Sequence, residues 1–538
     1  MLGGEVSNSI ASNLDSIRPA WPKLAAMHIN TVLTPVSWEL LEPQEGKFDF
    51  SLVDGQIRDA RSNNLRLVLL WFGSWKNSVS TYAPLWVKKD TKRFPLLVDE
   101  NGNTLNMLSV FPESNWKADA KAYAALMRHL REVDSQTRTV LIMQVENEVG
   151  IRGALRDHSP EADKALNGPV PKQLMEYLVK HRDALVPEFR KQWENAGGKT
   201  SGTWTEVFGK GRRFDGIFMA WRYASYMDKV AAAGKAEYPL PTFVNAALGD
   251  QVGQYSSGGP LWDVINVWQA AAPNIDMLSP CTYWSKFTEW CARYDRSGNP
   301  LFIPETRADP GQAFYAIGRH ALIGFSPFGI ERSADPNSPL SRAYDVLSQL
   351  APMILEAQAK GAIASVGLDQ ETSSDKVQLG GYTFEVRPVG MRSTSAPPSG
   401  QPGTEPGGRG GAVPAEQSGA PPSARGSSAA GIPGMVPAAP IPSYALILST
   451  VPDQFIVAGA GIQMTFQPIG PGPRIAAIGT AEEGKYVGGR WVPGRRLNGD
   501  DTALGYSLVE LALQGQSGQG LRFPADATDI VHLTLIRY

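Results

Sequence analysis

The sequence predicts an α/β chain, a (β/α)8 TIM barrel over residues 1–360 followed by an antiparallel β-sandwich domain over residues 361–538. Three observations carry this. Up to about residue 360, β-branched apolar runs alternate with helical patterns, the mark of a parallel sheet with crossover helices. Eight such runs can be counted, the strand number of a closed barrel. Beyond residue 360 the helical period gives way to short alternating runs separated by turn residues, as in a sandwich.

Leu2-Gly-Gly-Glu5 is the first predicted strand. Asn30 to Ser37 follows a helical stretch from Pro22 to His28, and Leu65 to Trp71 follows another from Leu52 to Ser62. Thr139 to Glu148 comes after the helical stretch Ala118–Val133. Long helical patterns, Pro171–Ala196 and Phe218–Ala233, precede the fifth strand, Leu240 to Asn245. Asn274 to Pro280, Leu301 to Glu305 and Ala321 to Phe328 complete the eight, and Ser338 to Lys360 reads as the closing helix. Sandwich strands are expected at Lys376–Leu379, Tyr382–Val386, Tyr444–Leu448, Gln454–Val457 and Val531–Ile536. Between them, about 393–442 is dominated by Pro, Gly, Ala and Ser. It is expected to be a disordered insert, because such a composition buries too little apolar surface to offset its ordering entropy.

Composition excludes several functions. A formal net charge of -2 lacks the basic excess of a phosphate binder, so no nucleic acid partner is expected. No apolar run reaches the roughly 18 residues of a membrane span, so no membrane partner is expected either. Six scattered histidines and two cysteines show no zinc-binding spacing, and neither metal nor cofactor is anticipated. Cys281 and Cys291 are expected to be free, buried thiols. Met1-Leu-Gly-Gly-Glu5 lacks the basic and long apolar regions of a signal peptide and reads as the tail of a strand already under way. An N-terminus further upstream is therefore expected, and the compartment, periplasmic and secreted included, is left open.

The chemistry lies at two strand ends. The apolar run Val140 to Val145 stops at Glu146-Asn147-Glu148, and Leu301-Phe-Ile-Pro stops at Glu305. In a barrel of this kind the active site sits at the C-terminal strand ends, and these carboxylates close strands four and seven. Glycoside hydrolysis needs one carboxylic acid to protonate the leaving oxygen and one carboxylate on the opposite face of the sugar. The amide of Asn147, next to the first of them, is suited to hydrogen-bond a sugar 2-hydroxyl. Glu146 lies two residues before Glu148. By period two it shares that residue's side, where it would add like charge to the barrel mouth or serve as an ion-paired structural residue.

The residues Gln144-Val-Glu-Asn-Glu-Val-Gly150 resemble the acid/base motif of glycoside hydrolase family 35, the β-galactosidases of a large barrel clan that retains anomeric configuration. Asn30 to Phe50 resembles the second-strand signature shared by families 35 and 42. Glu483 to Asp500 resembles the accessory domain behind the barrel in a bacterial branch of these enzymes. The resemblance implies that Glu148 is the general acid/base and Glu305 the nucleophile of a double displacement. It further implies that Tyr283 hydrogen-bonds the nucleophile.

Trp38, Trp71, Trp75 and Trp284 at the strand ends are candidates for stacking on a pyranose, and Glu5, Asn8 and Asn245 for binding hydroxyls. Arg307 and Glu331 are candidates for ion pairs that orient the nucleophile. The sequence departs from the main branch in one respect. Trp71-Phe-Gly-Ser-Trp-Lys-Asn77, after strand three, lacks the acidic residue thought to grip galactose, so the set of hydroxyl-reading residues differs.

The expected activity is that of a retaining exo-β-galactosidase acting on a β-galactoside or related glycan. The alternatives are another retaining β-glycosidase of the clan, acting on glucosides, mannosides or xylan-type chains, and an inactive glycan-binding protein. The long segment Val149 to Phe218 is expected to wall off one end of the pocket. The second domain is expected to pack against the barrel or to make contacts between copies in a homo-oligomer.

Overall fold

The computed structural model describes residues 1–210, 212–249, 255–368, 374–389, 443–502 and 519–538. The low-complexity insert expected at about 393–442 lies outside the described residues. Eight parallel strands follow in sequence order: β1 (Gly3–Glu5), β2 (Thr31–Ser37), β3 (Arg66–Lys76), β4 (Val140–Asn147), β5 (Thr242–Ala247), β6 (Met277–Thr282), β7 (Ile303–Thr306) and β8 (Phe325–Pro327). Parallel bridges from Leu2 to Phe325 and from Glu5 to Phe328 close the ring. The predicted barrel is therefore the observed one.

Its strands are buried on both faces, which is why they read as continuous apolar runs. Leu33, Val68, Leu70, Phe72, Ile142, Phe243 and Phe302 fill the interior. The alternate residues Leu67, Leu69, Trp71, Met143 and Val145 pack outward with the helices. Helix positions follow local signals. Asp309 caps the helix Pro310–His320 by accepting from the amides of Gly311 and Gln312, with Pro310 opening its first turn. The closing helix Pro339–Lys360 has Ser338 as its N-cap and ends on Gly361 at φ 63°, a left-handed position that favours glycine.

The expected long helix Pro171–Ala196 is broken into Lys172–Lys180, a 3-10 turn at Arg182–Ala184, and Pro187–Asn195. Pro187 forbids helical backbone at Val186, whose amide instead donates to Asn266 Oδ1 at 2.8 Å. A hairpin at Leu96–Val98 and Thr104–Leu108 was not anticipated.

Beyond the barrel, two antiparallel sheets stack on each other. One has six strands, ordered β9 (Ile363–Leu368), β12 (Ser443–Val451), β13 (Gln454–Ala460), β18 (Asp529–Arg537), β15 (Ala476–Val487) and β16 (Arg490–Leu497). The other has four, β10 (Asp375–Leu379), β11 (Tyr382–Pro388), β14 (Ile462–Pro468) and β17 (Leu521–Phe523). Val366, Tyr382, Phe384, Phe455, Val457 and Phe466 form the core between them. The sandwich seats directly on the barrel's last two helices. Arg319 Nε donates to Ser365 O at 3.0 Å, the amide of Tyr486 donates to Gln349 Oε1 at 2.9 Å, and the rings of Phe314 and Tyr444 lie 4.6 Å apart. Among the described residues no helix is long and apolar enough to cross a membrane.

Candidate active site

Strand ends four to seven bring Glu148, Asn245, Cys281, Tyr283 and Glu305 together at one end of the barrel. One oxygen of Glu148, one of Glu305 and the sulfur of Cys281 lie within 4.8 Å of one another, close enough for these three groups to ligate a metal ion. Glu148 is 7% exposed and Glu305 6%. The two carboxylates are held differently. The Tyr283 hydroxyl donates to Glu305 Oε1 at 2.8 Å, and Cys281 Sγ stands 3.6 Å from Oε2. Arg152 Nη2 makes an ion pair with Glu148 Oε2 at 2.7 Å.

Asn245 ties the pair together. Its Oδ1 accepts from the amide of Glu148 at 2.8 Å, while its Nδ2 reaches Cys281 Sγ at 3.3 Å and Glu305 Oε2 at 3.5 Å. The expectation that Asn245 binds sugar hydroxyls is corrected on this point, because both ends of its amide are already engaged with the carboxylate pair and its thiol neighbour.

Burial pushes the Glu305 carboxyl above the ordinary carboxylate range. Lys76 opposes the shift, Glu148 adds to it, and the donors Tyr283 and Cys281 pull it back. Glu5 is 1% exposed, and its carboxyl is raised well above the usual value by burial and then by the charge of Glu305. Its Oε1 has no hydrogen-bond partner among the described residues. Burial and the neighbouring Glu305 also raise the Cys281 thiol. Cys281 and Cys291 are both free and buried, as expected.

Three tryptophans leave the candidate set. Trp38 is 0% exposed and donates its indole N–H to Glu42 at 2.8 Å. Trp75, also 0% exposed, donates to Leu108 O at 3.1 Å and meets the rings of Tyr223 and Tyr226 edge-on. Trp71 faces the outer helices, its indole on Asp119 at 2.9 Å. Each indole finds its apolar and polar partners between barrel and helix, so none offers a face to a ligand. Trp284 stays partly exposed beside the site. Glu331 does not orient the nucleophile; it accepts from the amide and hydroxyl of Ser7 and pairs with Arg332.

Glu146 is likewise not in the mouth. It and Glu148 have φ of 62° and 46°, so the period-two alternation fails at the strand tip. The Glu146 carboxylate instead turns outward and accepts from the amides of Ser74 and Trp75 at 2.8 and 2.7 Å. Burial raises it well above the ordinary range, and the neighbouring Asp119 raises it further. Gly73 makes room for this pair, since a Cβ there would stand 2.4 Å from Glu146 Oε1 and 2.8 Å from Asp119 Oδ1.

Sequence reasoning missed Lys76 and Arg152. Lys76 is 5% exposed, and its ammonium donates to Asn147 Oδ1 at 2.9 Å and to Asn77 Oδ1 at 2.8 Å. The signal was present: a lone cation ending an otherwise apolar strand tip. Asn147 itself is 0% exposed, and its Nδ2 has no hydrogen-bond partner among the described residues.

Residues 15–207 match the family model for glycoside hydrolase family 42, described as β-galactosidase, and this stretch includes Glu148 but not Glu305. Residues 340–420 and 423–509 match a domain of unknown function, DUF5597. No curated protein matches the chain. Among solved structures, the β-galactosidase of the psychrophilic Marinomonas ef1 is 10% identical over 67% of this chain and 60% of its own, with a TM-score of 0.44. That of Bacillus circulans sp. alkalophilus is 14% identical over 66% and 57%, with a TM-score of 0.45. The catalytic domain of β-amylase from Paenibacillus polymyxa is 13% identical over 64% and 98%, with a TM-score of 0.43. The chain thus spans about three fifths of the length of these β-galactosidases. Nothing about substrate passes from them at such identities.

The matching model is that of family 42, so the narrower family 35 resemblance is not supported. What the two families share, the second-strand signature, lies inside the matched stretch. The match over residues 15–207, laid on an eight-stranded barrel, supports a glycoside hydrolase similar in that stretch to the β-galactosidase family.

Proposed function

We propose that the protein is a retaining exo-β-galactosidase that removes terminal β-galactosyl residues by double displacement. The barrel, residues 1–360, would carry the chemistry and residues 361–538 would form the accessory domain. The observation that supports this reading is that one oxygen of Glu148 and one of Glu305 lie within 4.8 Å of each other. Retaining enzymes hold their carboxyls roughly 5–5.5 Å apart, whereas inverting ones leave roughly 6.5–9.5 Å for a water. Glu305 attacks the anomeric carbon while Glu148 gives its proton to the departing oxygen. Arg152, 2.7 Å away, balances the charge that Glu148 acquires. Glu148 then takes a proton from water, which releases the sugar from Glu305. Tyr283 holds Glu305 in its attacking position, and Glu5, Asn147 and Trp284 are the residues left to meet the sugar.

The exo assignment would require the segment after β4, with its helices Pro160–Leu166, Lys172–Lys180 and Pro187–Asn195, to close one end of the pocket. A second reading within the clan, a β-glycosidase for another sugar, is favoured by one observation: β3 ends in Lys76 rather than a carboxylate.

Two assays separate these readings. Glu305→Gly should abolish hydrolysis of an aryl β-galactoside, and azide should restore turnover with an α-galactosyl azide product, since azide enters from the vacated face. An absence of azide product would remove the nucleophile assignment. A panel of aryl β-glycosides on the wild type should be cleaved best at galactose; a better sugar would favour the second reading.

A further inference from the structure

Lys76 closes β3 and is the buried cation among three buried carboxylates, Glu5, Glu148 and Glu305. Its hydrogen bonds go to two amides, Asn77 and Asn147, each through Oδ1. An ammonium only donates, so the end of Asn147 that faces it must be the oxygen. The other end, Nδ2, is then the one left over, and it is buried without a partner. A buried donor in that state carries the desolvation cost of an unmade hydrogen bond, which an acceptor atom on a ligand would relieve. Asn147 directly precedes Glu148, so the unpartnered donor sits beside the group that meets the glycosidic oxygen.

We infer that Lys76 is a positioning residue which fixes the direction of the Asn147 amide, so that the site offers an N–H donor, and not a carbonyl, to the oxygen on C2 of the bound sugar. Without Lys76 the amide is free to turn over, and its carbonyl would then compete for the same sugar oxygen. This inference rests on the glycosidase reading.

The test compares kcat/KM on the aryl glycoside that the wild type cleaves fastest and on its 2-deoxy counterpart, for the wild type, Lys76→Met, Lys76→Gln, Asn147→Ala and the Met/Ala double variant. The wild type should prefer the hydroxylated substrate by about 100-fold or more, since 2-hydroxyl contacts supply several kcal/mol in the transition state. Lys76→Met should reduce that preference to below about tenfold, and should add less than about threefold once Asn147 is alanine, because contacting residues on one path do not act additively. Lys76→Gln, which keeps a donor but no charge, should retain more of the preference than Lys76→Met. Equal slowing of both substrates, or fully multiplicative effects of the two substitutions, would overturn the inference. An active wild type with an unmoved ratio in Lys76→Met sinks the Lys76 assignment alone. If the wild type cleaves no glycoside, the glycosidase reading and this inference fall together.

Discussion

Tyr283→Phe removes one hydroxyl and leaves the ring, so it isolates the 2.8 Å hydrogen bond to Glu305 Oε1. A hydrogen bond to an ionised group contributes about 1.5–3 kcal/mol, which at 1.36 kcal/mol per tenfold is about 10- to 150-fold. How that factor appears depends on pH. The groups around Glu305 are Glu5, Glu148, Lys76, Cys281 and Tyr283. Burial already lifts its carboxyl, and the Tyr283 bond pulls it down. Removing the bond makes the proton harder to lose, so less of the nucleophile is ionised at low pH and the acid limb of kcat/KM moves to higher pH. The full factor belongs on that limb. On the plateau the loss should be smaller, because charge leaves the Glu305 oxygen as it bonds to the anomeric carbon and the lost donor then matters less. The assay is the kcat/KM profile of an aryl β-glycoside for both proteins. A loss of equal size at every pH, with the acid limb unmoved, would refute the reasoning and leave Tyr283 a packing residue.

Other perturbations test the frame around the pair. Asp119→Asn should lower Tm at about pH 5 through its contacts with Trp71 and Ser74, yet lose less Tm than wild type between about pH 5 and about pH 8. The sign follows from Glu146, whose raised carboxyl binds its proton more tightly when folded, so stability falls as pH rises above the ordinary carboxylate value; removing Asp119 shrinks the slope. Parallel Tm curves would contradict it. Gly73→Ala drives a methyl to 2.4 Å from Glu146 Oε1 and should cost about 1–3 kcal/mol in chemical denaturation. Trp75→Phe leaves Leu108 O unpaired and should destabilise by about 1–3 kcal/mol with KM unchanged; a raised KM with normal stability would restore it as a sugar platform. Asn245→Ala unties both carboxylates at once and should lower kcat more than KM in steady-state assays.

The barrel was legible because parallel strands buried on both faces leave continuous apolar runs, and helices leave caps and period. The two carboxylates were legible for the same reason: a charged residue that stops such a run is conspicuous. What failed were several inferences about side-chain direction at the strand tips, although Tyr283 does reach Glu305. Trp38, Trp71 and Trp75 were placed correctly along the chain, yet their indoles donate to Glu42, Asp119 and Leu108. Asp119 and Leu108 are reached only by the chain folding back, whereas Glu42 lies four residues beyond Trp38. Glu146 followed the period-two rule in sequence and broke it in space, because two positive φ values at the tip of β4 reset the alternation.

Sequence alone therefore determined the architecture and singled out the two strand-end carboxylates proposed to react, since both are written in local runs of burial and charge. Only the tertiary structure decided the charge balance of the site. It set Lys76 from β3 on Asn147 from β4, and Asn245 between Glu148 and Glu305. Hydrogen bonds and Coulomb interactions act over a few ångströms, and distances that short between residues far apart in the chain exist only once the barrel has closed.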